Sequence, residues 1–351
     1  MVPNPKAFVS WTAVSPAKSR SEIRTHLGAF RPATRLCARS HNPPGNFSFP
    51  GFTRMATIEN KDCYNLRSYR SNMNISKAVI TAAGPSQRTL PLQTLVDRDG
   101  KTKTALAIIV EEAIQSGAGE ICIVVFPGDA EAYRAAAGVH GKHLQFVEQT
   151  KAAGYGHAVW SARSFTGADP FLLMVGDHLY LSRTQQTCAR QLIEVAVRED
   201  SAVSAVHPTH ESKLPYYGVV GGRLAENRKG LYLVSEVAEK PTPTVAEQRL
   251  IVPGLRAGNY LCFFGMHVLT PAVMDMLGAE ITAGRSPTLS ETLARLAARE
   301  RYLAYEVEGR RFDIGLKYGL LNAQLAFALS SPARAEVLAG VVELLAQEQS
   351  H

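Results

Sequence analysis

From residue 77 onward the chain alternates short apolar runs with amphipathic stretches. KAVITA (77–82), EICIVVF (120–126) and FLLMVGD (171–177) are nearly continuous runs of aliphatic and β-branched side chains, a pattern that predicts strands buried on both faces. Between them, TALAIIVEEAIQSG (104–117) carries apolar residues at helical spacing and stops at Gly117. GHAVWSARSF (156–165) and TQQTCARQLIEVAVRED (184–200) read as helices, and SAVSAV (201–206) as a further strand. Repeated strand–helix–strand units predict parallel strands with helices on both faces. The middle of the chain differs. YYGVVGG (216–222), LYLVSEVAEK (231–240) and GNYLCFFGMHVL (258–269) are strand-like with no long helix between them, which predicts antiparallel additions and a mixed sheet. Helices return at 271–277 and 288–299, YLAYEVEG (302–309) is one more strand, and 317–329 and 333–349 read as closing helices. The expected fold class is α/β, a Rossmann-like three-layer α/β/α arrangement around a mixed, mostly parallel sheet.

Residues 1–72 lack this pattern. Up to residue 56 they hold seven Pro, six Ser, eight Lys or Arg and a single acid, Glu22. A segment of that composition buries too little apolar surface to offset its chain entropy, so disorder is expected there. It reads either as an organelle transit peptide or as upstream sequence ahead of a start at Met73. The charge of the whole chain, +7 from 38 basic and 31 acidic residues, resides in this segment, because residues 57–351 hold 30 of each sign. A body that binds nucleic acid needs a basic face; this one has no excess charge to build it, so no nucleic-acid partner is expected. The longest purely apolar runs, such as 105–110 and 121–126, fall far short of the ~18 residues that span a membrane, so no membrane partner is expected either. Five Cys, scattered at 37, 63, 122, 188 and 262 without a CxxC pair, argue against a disulfide framework or a zinc site and fit a reducing, cytoplasmic compartment.

In parallel α/β sheets ligands gather beyond the carboxyl ends of the strands. The first such end, AAGPSQR (82–88), is a small turn whose backbone N–H groups could approach phosphate beside Arg88, or simply a tight turn. The second places Asp177 in Gly-Asp-His, a position suited to a divalent-metal ligand or to a helix cap. The third is Glu239-Lys240-Pro241; a residue before Pro is expected to be extended, which would aim the Lys240 ammonium, unless the pair is an ordinary solvated one. The fourth, GRRFDIG (309–315), reads as a turn carrying Asp313, a second acid that either shares a metal with Asp177 or pairs with Arg310 or Arg311.

Taken in order, the strand ends read AAGPSQRTLP, EQTKAAGYGHAV, LLMVGDHLYLS, YYGVV, EVAEKP, GNYLCFFGMHVL and GRRFDIGLKYGLLNA. This ordered set resembles the bacterial-type UTP–glucose-1-phosphate uridylyltransferases, within the wider sugar-nucleotide pyrophosphorylase family, from about residue 77 to 330. LVDRDGKTKTALAIIVEEAI (95–114) fits the same family. The resemblance implies a nucleotide-diphospho-sugar transferase fold, with a nucleotidyltransferase domain over 73–331, a C-terminal helix over 332–351, and 1–72 outside it. It implies the substrates UTP and glucose 1-phosphate, the products UDP-glucose and pyrophosphate, and Mg²⁺ as cofactor, and it admits a homo-oligomer. Carried over residue by residue, it implies that Ala83 and Gly84 sit under the nucleotide with Arg88 on the triphosphate. Gln149 would read the uracil edge, and Gly154 and Gly156 would let the backbone approach the base. Asp177 and Asp313 would hold Mg²⁺. Gly218 would line the sugar site, Glu239 would accept from sugar hydroxyls, Lys240 would contact the sugar phosphate, and Asn259 would touch the glucosyl unit.

The chain also departs from the family pattern. The first signature is a Gly-x-Gly-Thr-Arg turn followed by a Lys in a Pro-Lys-Glu context. Here the turn reads Gly84-Pro85-Ser86-Gln87-Arg88, Pro85 removes one backbone donor, and PLQTLVD (91–97) runs straight into the next block, so the stretch that carries the signature Lys is missing. Lys101 and Lys103 follow closely, as solvated turn charges or as replacements. Residues 127–147 are also shorter than the pattern. Beside the uridylyltransferase reading, the sequence leaves open a transferase for another nucleotide such as dTTP or another sugar phosphate, and a non-catalytic or slow sugar-nucleotide-binding paralogue.

Overall fold

The structure is a computed structural model that describes residues 73–85, 88–225 and 228–348. The expectation about residues 1–72, and the two altered turn positions Ser86 and Gln87, lie outside the described residues. In chain order the elements are β1 (Lys77–Thr81), β2 (Thr94–Val96), β3 (Thr102–Thr104), α1 (Ala105–Gln115), β4 (Glu120–Val125), α2 (Ala130–Ala136), β5 (Leu144–Glu148), α3 (Tyr155–Ser161), α4 (Arg163–Thr166), β6 (Phe171–Val175), β7 (His178–Ser182), α5 (Cys188–Glu199) and β8 (Ala202–His210). There follow β9 (Gly218–Leu224), β10 (Leu231–Glu239), α6 (Pro243–Arg249), β11 (Asn259–Leu269), α7 (Pro271–Thr282), α8 (Leu289–Ala297), β12 (Tyr302–Glu306), β13 (Gly309–Asp313), α9 (Gly319–Ala328) and α10 (Arg334–Glu348).

Nine strands form one mixed sheet in the order β5-β4-β1-β6-β11-β8-β12-β10-β9. The run β5-β4-β1-β6 is parallel, with Thr81 level with Val124 on one side and Val175 on the other. These strands are the apolar runs of the sequence, buried on both sides as their composition requires. β11 enters antiparallel between β6 and β8, and β10 and β9 add antiparallel beyond β12. β9 also pairs with β11 at Leu261 and Cys262, so this end of the sheet curls back on itself.

Strand alternation divides the core. Ala78 and Ile80 of β1 face a cluster closed by α1, α5 and α9, whereas Val79 faces one closed by α3, α7 and α8. The helices start where short polar side chains cap them: Thr104 accepts from the Ala107 N–H at 3.0 Å and Thr187 from the Arg190 N–H at 3.1 Å. Thr288 and Glu291 form a reciprocal box at the start of α8.

Three local expectations are corrected. The stretch 156–165 is two helices, α3 and α4, because the Ala162 N–H bonds back only three residues to Val159 and tightens the last turn of α3. Residues 309–313 are a strand, β13, because the register Arg311–Tyr180 and Asp313–His178 pairs them with β7 in a small separate sheet. Lys240, expected to be extended before Pro241, has φ of 45°; its N–H donates to Tyr217 O at 3.2 Å, carrying the β9–β10 ladder one residue further before the turn into α6. Residues 127–147 hold α2 and all but the last residue of the edge strand β5. Among the described residues no helix is long and apolar enough to cross a membrane, and Cys122, Cys188 and Cys262 are buried free thiols.

Candidate active site

The carboxyl ends of β5, β4, β1 and β6 open on one side, and two adjoining cavities lie there. The first, about 550 Å³, is lined among others by Ala83, Gly84, Gln149, Gly154, Asp177 and Asp313. The second, about 500 Å³, is lined by Gly218, Phe263, Gly265, His267 and Ser290. Tyr155, Val175, His178, Tyr216 and Glu239 belong to both walls, so the two are halves of one cleft.

Backbone geometry builds the floor. The Gly176 N–H donates to Thr81 O at 2.8 Å, and a Cβ on Gly176 would stand 2.9 Å from Ala82 Cβ, so β6 leaves the sheet in direct contact with the turn after β1. Asp177 follows at once. Asp313 reaches it through the β7–β13 pair, and the Ile314 N–H donates to Asp177 O at 2.9 Å. One donor atom each from Asp177, His178 and Asp313 lie within 4.8 Å of one another. Burial would raise the Asp177 carboxyl, but His178, whose Nδ1 stands 2.8 Å from Oδ1, reverses this through its hydrogen bond and holds the carboxyl below its ordinary range. Asp313 Oδ1 accepts from the Gly315 N–H at 2.9 Å. Neither arginine of β13 pairs with it, since Arg310 lies over Phe312 and Arg311 over Tyr217.

The walls differ in chemistry. Gln149 is buried, and its amide donates to Gly154 O at 3.1 Å and meets His157 Nδ1 at 3.3 Å. Gly154 holds φ of 88° at the start of α3, which a side chain would strain. Tyr155 shows its ring to the cleft, while its hydroxyl end lies deep beside Thr81, where burial keeps it protonated. On the opposite wall Glu239 Oε2 accepts from Ser290 Oγ at 2.6 Å, and Lys240 Nζ stands 4.0 Å from Glu239 Oε1 with most of its side chain free.

Three residues marked in the sequence are placed elsewhere. The Arg88 guanidinium pairs with Asp129 and stacks 4.3 Å from the Phe126 ring centre, beside the first cavity and not on its wall. Gly156 lines neither cavity; a Cβ there would stand 2.2 Å from Pro287 O, so its role is the close packing of α3 on the 286–288 loop. Asn259, the first residue of β11 and level with His210 of β8, also lines neither cavity. Lys103 is neither a solvated charge nor a phosphate contact: it bridges Asp97 and Glu111 at 2.8 and 2.7 Å. Conversely, Tyr155, His178, Gly265, His267 and Ser290 line the cleft with no motif of their own to mark them. His178 follows Asp177 directly and was legible; the others depend on strands and loops meeting from distant parts of the chain.

A mixed α/β sheet thus carries, at its parallel strand ends, a cleft with two acids meeting at its floor. Solved structures agree on the fold. A UDP-glucose pyrophosphorylase complexed with UDP-glucose matches with TM-score 0.59 and 22% identity, over 72% of this chain and 98% of that one. The UDP-glucose pyrophosphorylase of Acinetobacter baumannii matches with TM-score 0.61 and 24% identity, over 77% and 100%. In sequence the chain resembles the bacterial UTP–glucose-1-phosphate uridylyltransferases along most of its length. It is 28% identical over 286 residues to that of Streptococcus pneumoniae serotype 4, covering 74% of this chain and 92% of the relative. It is 29% identical to UTP–glucose-1-phosphate uridylyltransferase 2 of Streptococcus pyogenes serotype M1, covering 74% and 92%. No family model matches the chain.

Proposed function

We propose that this protein transfers a uridylyl group from UTP to glucose 1-phosphate, forming UDP-glucose and releasing pyrophosphate. The observation that carries the reading is the meeting of Asp177 and Asp313 in the first half of a cleft whose second half is walled by Gly218 and Glu239. A phosphate oxygen of glucose 1-phosphate attacks the α-phosphorus of UTP. The new O–P bond forms as the bond to the β-phosphate's bridging oxygen breaks, and pyrophosphate leaves with that electron pair. The nucleophile is ionised at neutral pH, so no general base is needed, and catalysis rests on alignment and charge neutralisation.

In this reading Ala83 and Gly84 offer backbone to the nucleotide, and Gln149, held by Gly154, faces the uracil edge. Glu239, fixed by Ser290, accepts from sugar hydroxyls, and Lys240 brings its ammonium to the phosphates. Asp177 and Asp313 are hard oxygen donors that fit Mg²⁺, with His178 beside them. Bound there, the ion would offset the negative charge of the phosphates. The sheet with helices on both faces is then the Rossmann-like three-layer frame of a nucleotide-diphospho-sugar transferase. Its catalytic domain is 73–331 and its closing helix 332–351, and its setting is the cytoplasm.

A slower or purely binding protein is the second reading. It is favoured by the placement of Arg88 on Asp129, which leaves Lys240 as the one Lys or Arg on the wall of the first cavity among the described residues. Pyrophosphate release from the purified chain with UTP, Mg²⁺ and glucose 1-phosphate separates the two, run beside dTTP and other sugar phosphates. Release with UTP and glucose 1-phosphate above every other pair supports the first reading. Binding of UDP-glucose without release supports the second.

A further inference from the structure

A polar chain crosses the core behind the second cavity. Ser204 on β8, His267 on β11 and Tyr302 on β12 point to the same face of the sheet, since Ser204 is level with His267 on one side and with Ala304, two residues beyond Tyr302, on the other. Ser204 Oγ lies 2.5 Å from His267 Nδ1 and 2.5 Å from the Tyr302 hydroxyl. Ser204 and Tyr302 are wholly buried and His267 is 3% exposed. His267 nevertheless lines the second cavity, where Phe263 packs edge-on against its ring at 5.0 Å between centroids.

The positions of the protons follow from counting donors. The Tyr302 hydroxyl has one hydrogen-bond partner among the described residues, Ser204, so its proton goes to Ser204 Oγ. Ser204 must then place its own proton on the other neighbour, His267 Nδ1. A proton already on Nδ1 would leave two donors facing each other in a dry core. Nδ1 therefore carries the lone pair and Nε2 the hydrogen. Burial also holds the imidazole neutral, its pKa pushed down to about 3.

We infer that His267 Nε2–H is a fixed, uncharged hydrogen-bond donor that selects a hydroxyl of the sugar ring in the second cavity. This rests on the proposed uridylyltransferase reading and deepens it. A neutral N–H suits a hydroxyl oxygen and not a phosphate, for which a cation serves better. Glu239, held by Ser290 on the same cavity, is a fixed acceptor. A donor and an acceptor framed by Phe263 and Tyr217 match the edge of a pyranose, whose hydroxyls both donate and accept. Ser204 and Tyr302 are positioning residues that set the tautomer and touch no ligand.

Two measurements test this. Long-range ¹H–¹⁵N spectra of the ligand-free protein should show His267 with the proton on Nε2, a signal absent from His267→Phe and joined by the other tautomer in Tyr302→Phe. A proton on Nδ1 in the wild type overturns the inference. Kinetics then compare glucose 1-phosphate with its monodeoxy analogues. His267→Phe should raise KM for glucose 1-phosphate roughly tenfold, the effect of one unpaired polar group, leave KM for UTP within about twofold, and abolish the penalty against one particular deoxy sugar. His267→Gln, which restores an N–H, should recover part of the loss. An unchanged KM for the sugar phosphate, or an equal change for every analogue, overturns it. Should the wild type release no pyrophosphate, the uridylyltransferase reading falls by itself. The tautomer, and calorimetric binding of UDP-glucose to the wild type and His267→Phe, then decide this inference.

Discussion

Asp177→Asn separates stability from turnover. Asn has the shape of Asp, and its side-chain oxygen still accepts from His178 Nδ1, now 2.8 Å from the carboxylate. The Ile314 N–H bonds to the Asp177 main-chain oxygen, which the substitution leaves in place. What disappears is one of two negative charges whose donor atoms lie within 4.8 Å. At an effective dielectric near 20 that repulsion is about 3 kcal/mol, but the His178 hydrogen bond and charge offset it, since the carboxyl sits below its ordinary range. Without metal the variant should therefore lose only a little stability, on the order of 1 kcal/mol. In the reaction the same charge holds the cation against the phosphates, and losing one such contact costs about 3–4 kcal/mol of transition-state stabilisation, or 10²–10³ in kcat. Denaturant unfolding in EDTA reads the first effect, and pyrophosphate release at saturating UTP and glucose 1-phosphate reads the second. A variant that turns over within tenfold of the wild type removes Asp177 from the chemistry. One that is destabilised by several kcal/mol in EDTA shows that the carboxylate holds the fold.

Further outcomes follow from other positions. Gln149→Ala should weaken UTP use by about 1–3 kcal/mol, the cost of unpaired buried groups, with KM for glucose 1-phosphate unchanged; unaltered UTP kinetics would take Gln149 out of the base site. Gly156→Ala should destabilise the protein by roughly 1–3 kcal/mol through a clash with Pro287 O, read as a lower thermal midpoint, without altering preference between UTP and dTTP; a change of base preference with no loss of stability would return it to the nucleotide. Glu112 accepts the Ala189 N–H at 2.9 Å beneath the start of α5, and burial raises its carboxyl from 4.5 to about 7. The folded state keeps that proton while the unfolded chain releases it, so stability is full below about 4.5 and declines as pH rises through about 7. Glu112→Gln should flatten this decline in denaturant midpoints measured across that range, and a parallel decline in the variant would refute the assignment.

Much of this protein is written in local pattern. The runs at β1, β4 and β6 are apolar on both faces, and such strands fit only the inside of a helix-covered parallel sheet, so the α/β class was legible from periodicity. The strand ends that carry Gly84, Gln149 and Asp177 were legible for the same reason, because parallel strands bring their carboxyl ends to one side; Glu239 ends β10, which runs antiparallel, so that rule does not place it. Short, polar or contact-dependent features were not. β13 reads as a turn because Arg310 and Arg311 break its alternation, and only its pairing with β7 makes it a strand and brings Asp313 to Asp177. The β11 bulge between Phe263 and His267 has one local sign, Gly265 with φ of 88°, and nothing local says that Gly265 and His267 line the cleft. Arg88 and Gly156 show the converse: a residue's place in a pattern does not say whether it meets the ligand or a neighbouring loop. Asp129 holds the Arg88 guanidinium and Pro287 meets Gly156, each from a different stretch of chain. Periodicity is a property of neighbours along the chain, so the sequence determines the elements and their order. The site is a property of neighbours in space, and only the packed structure decides which side chains share it.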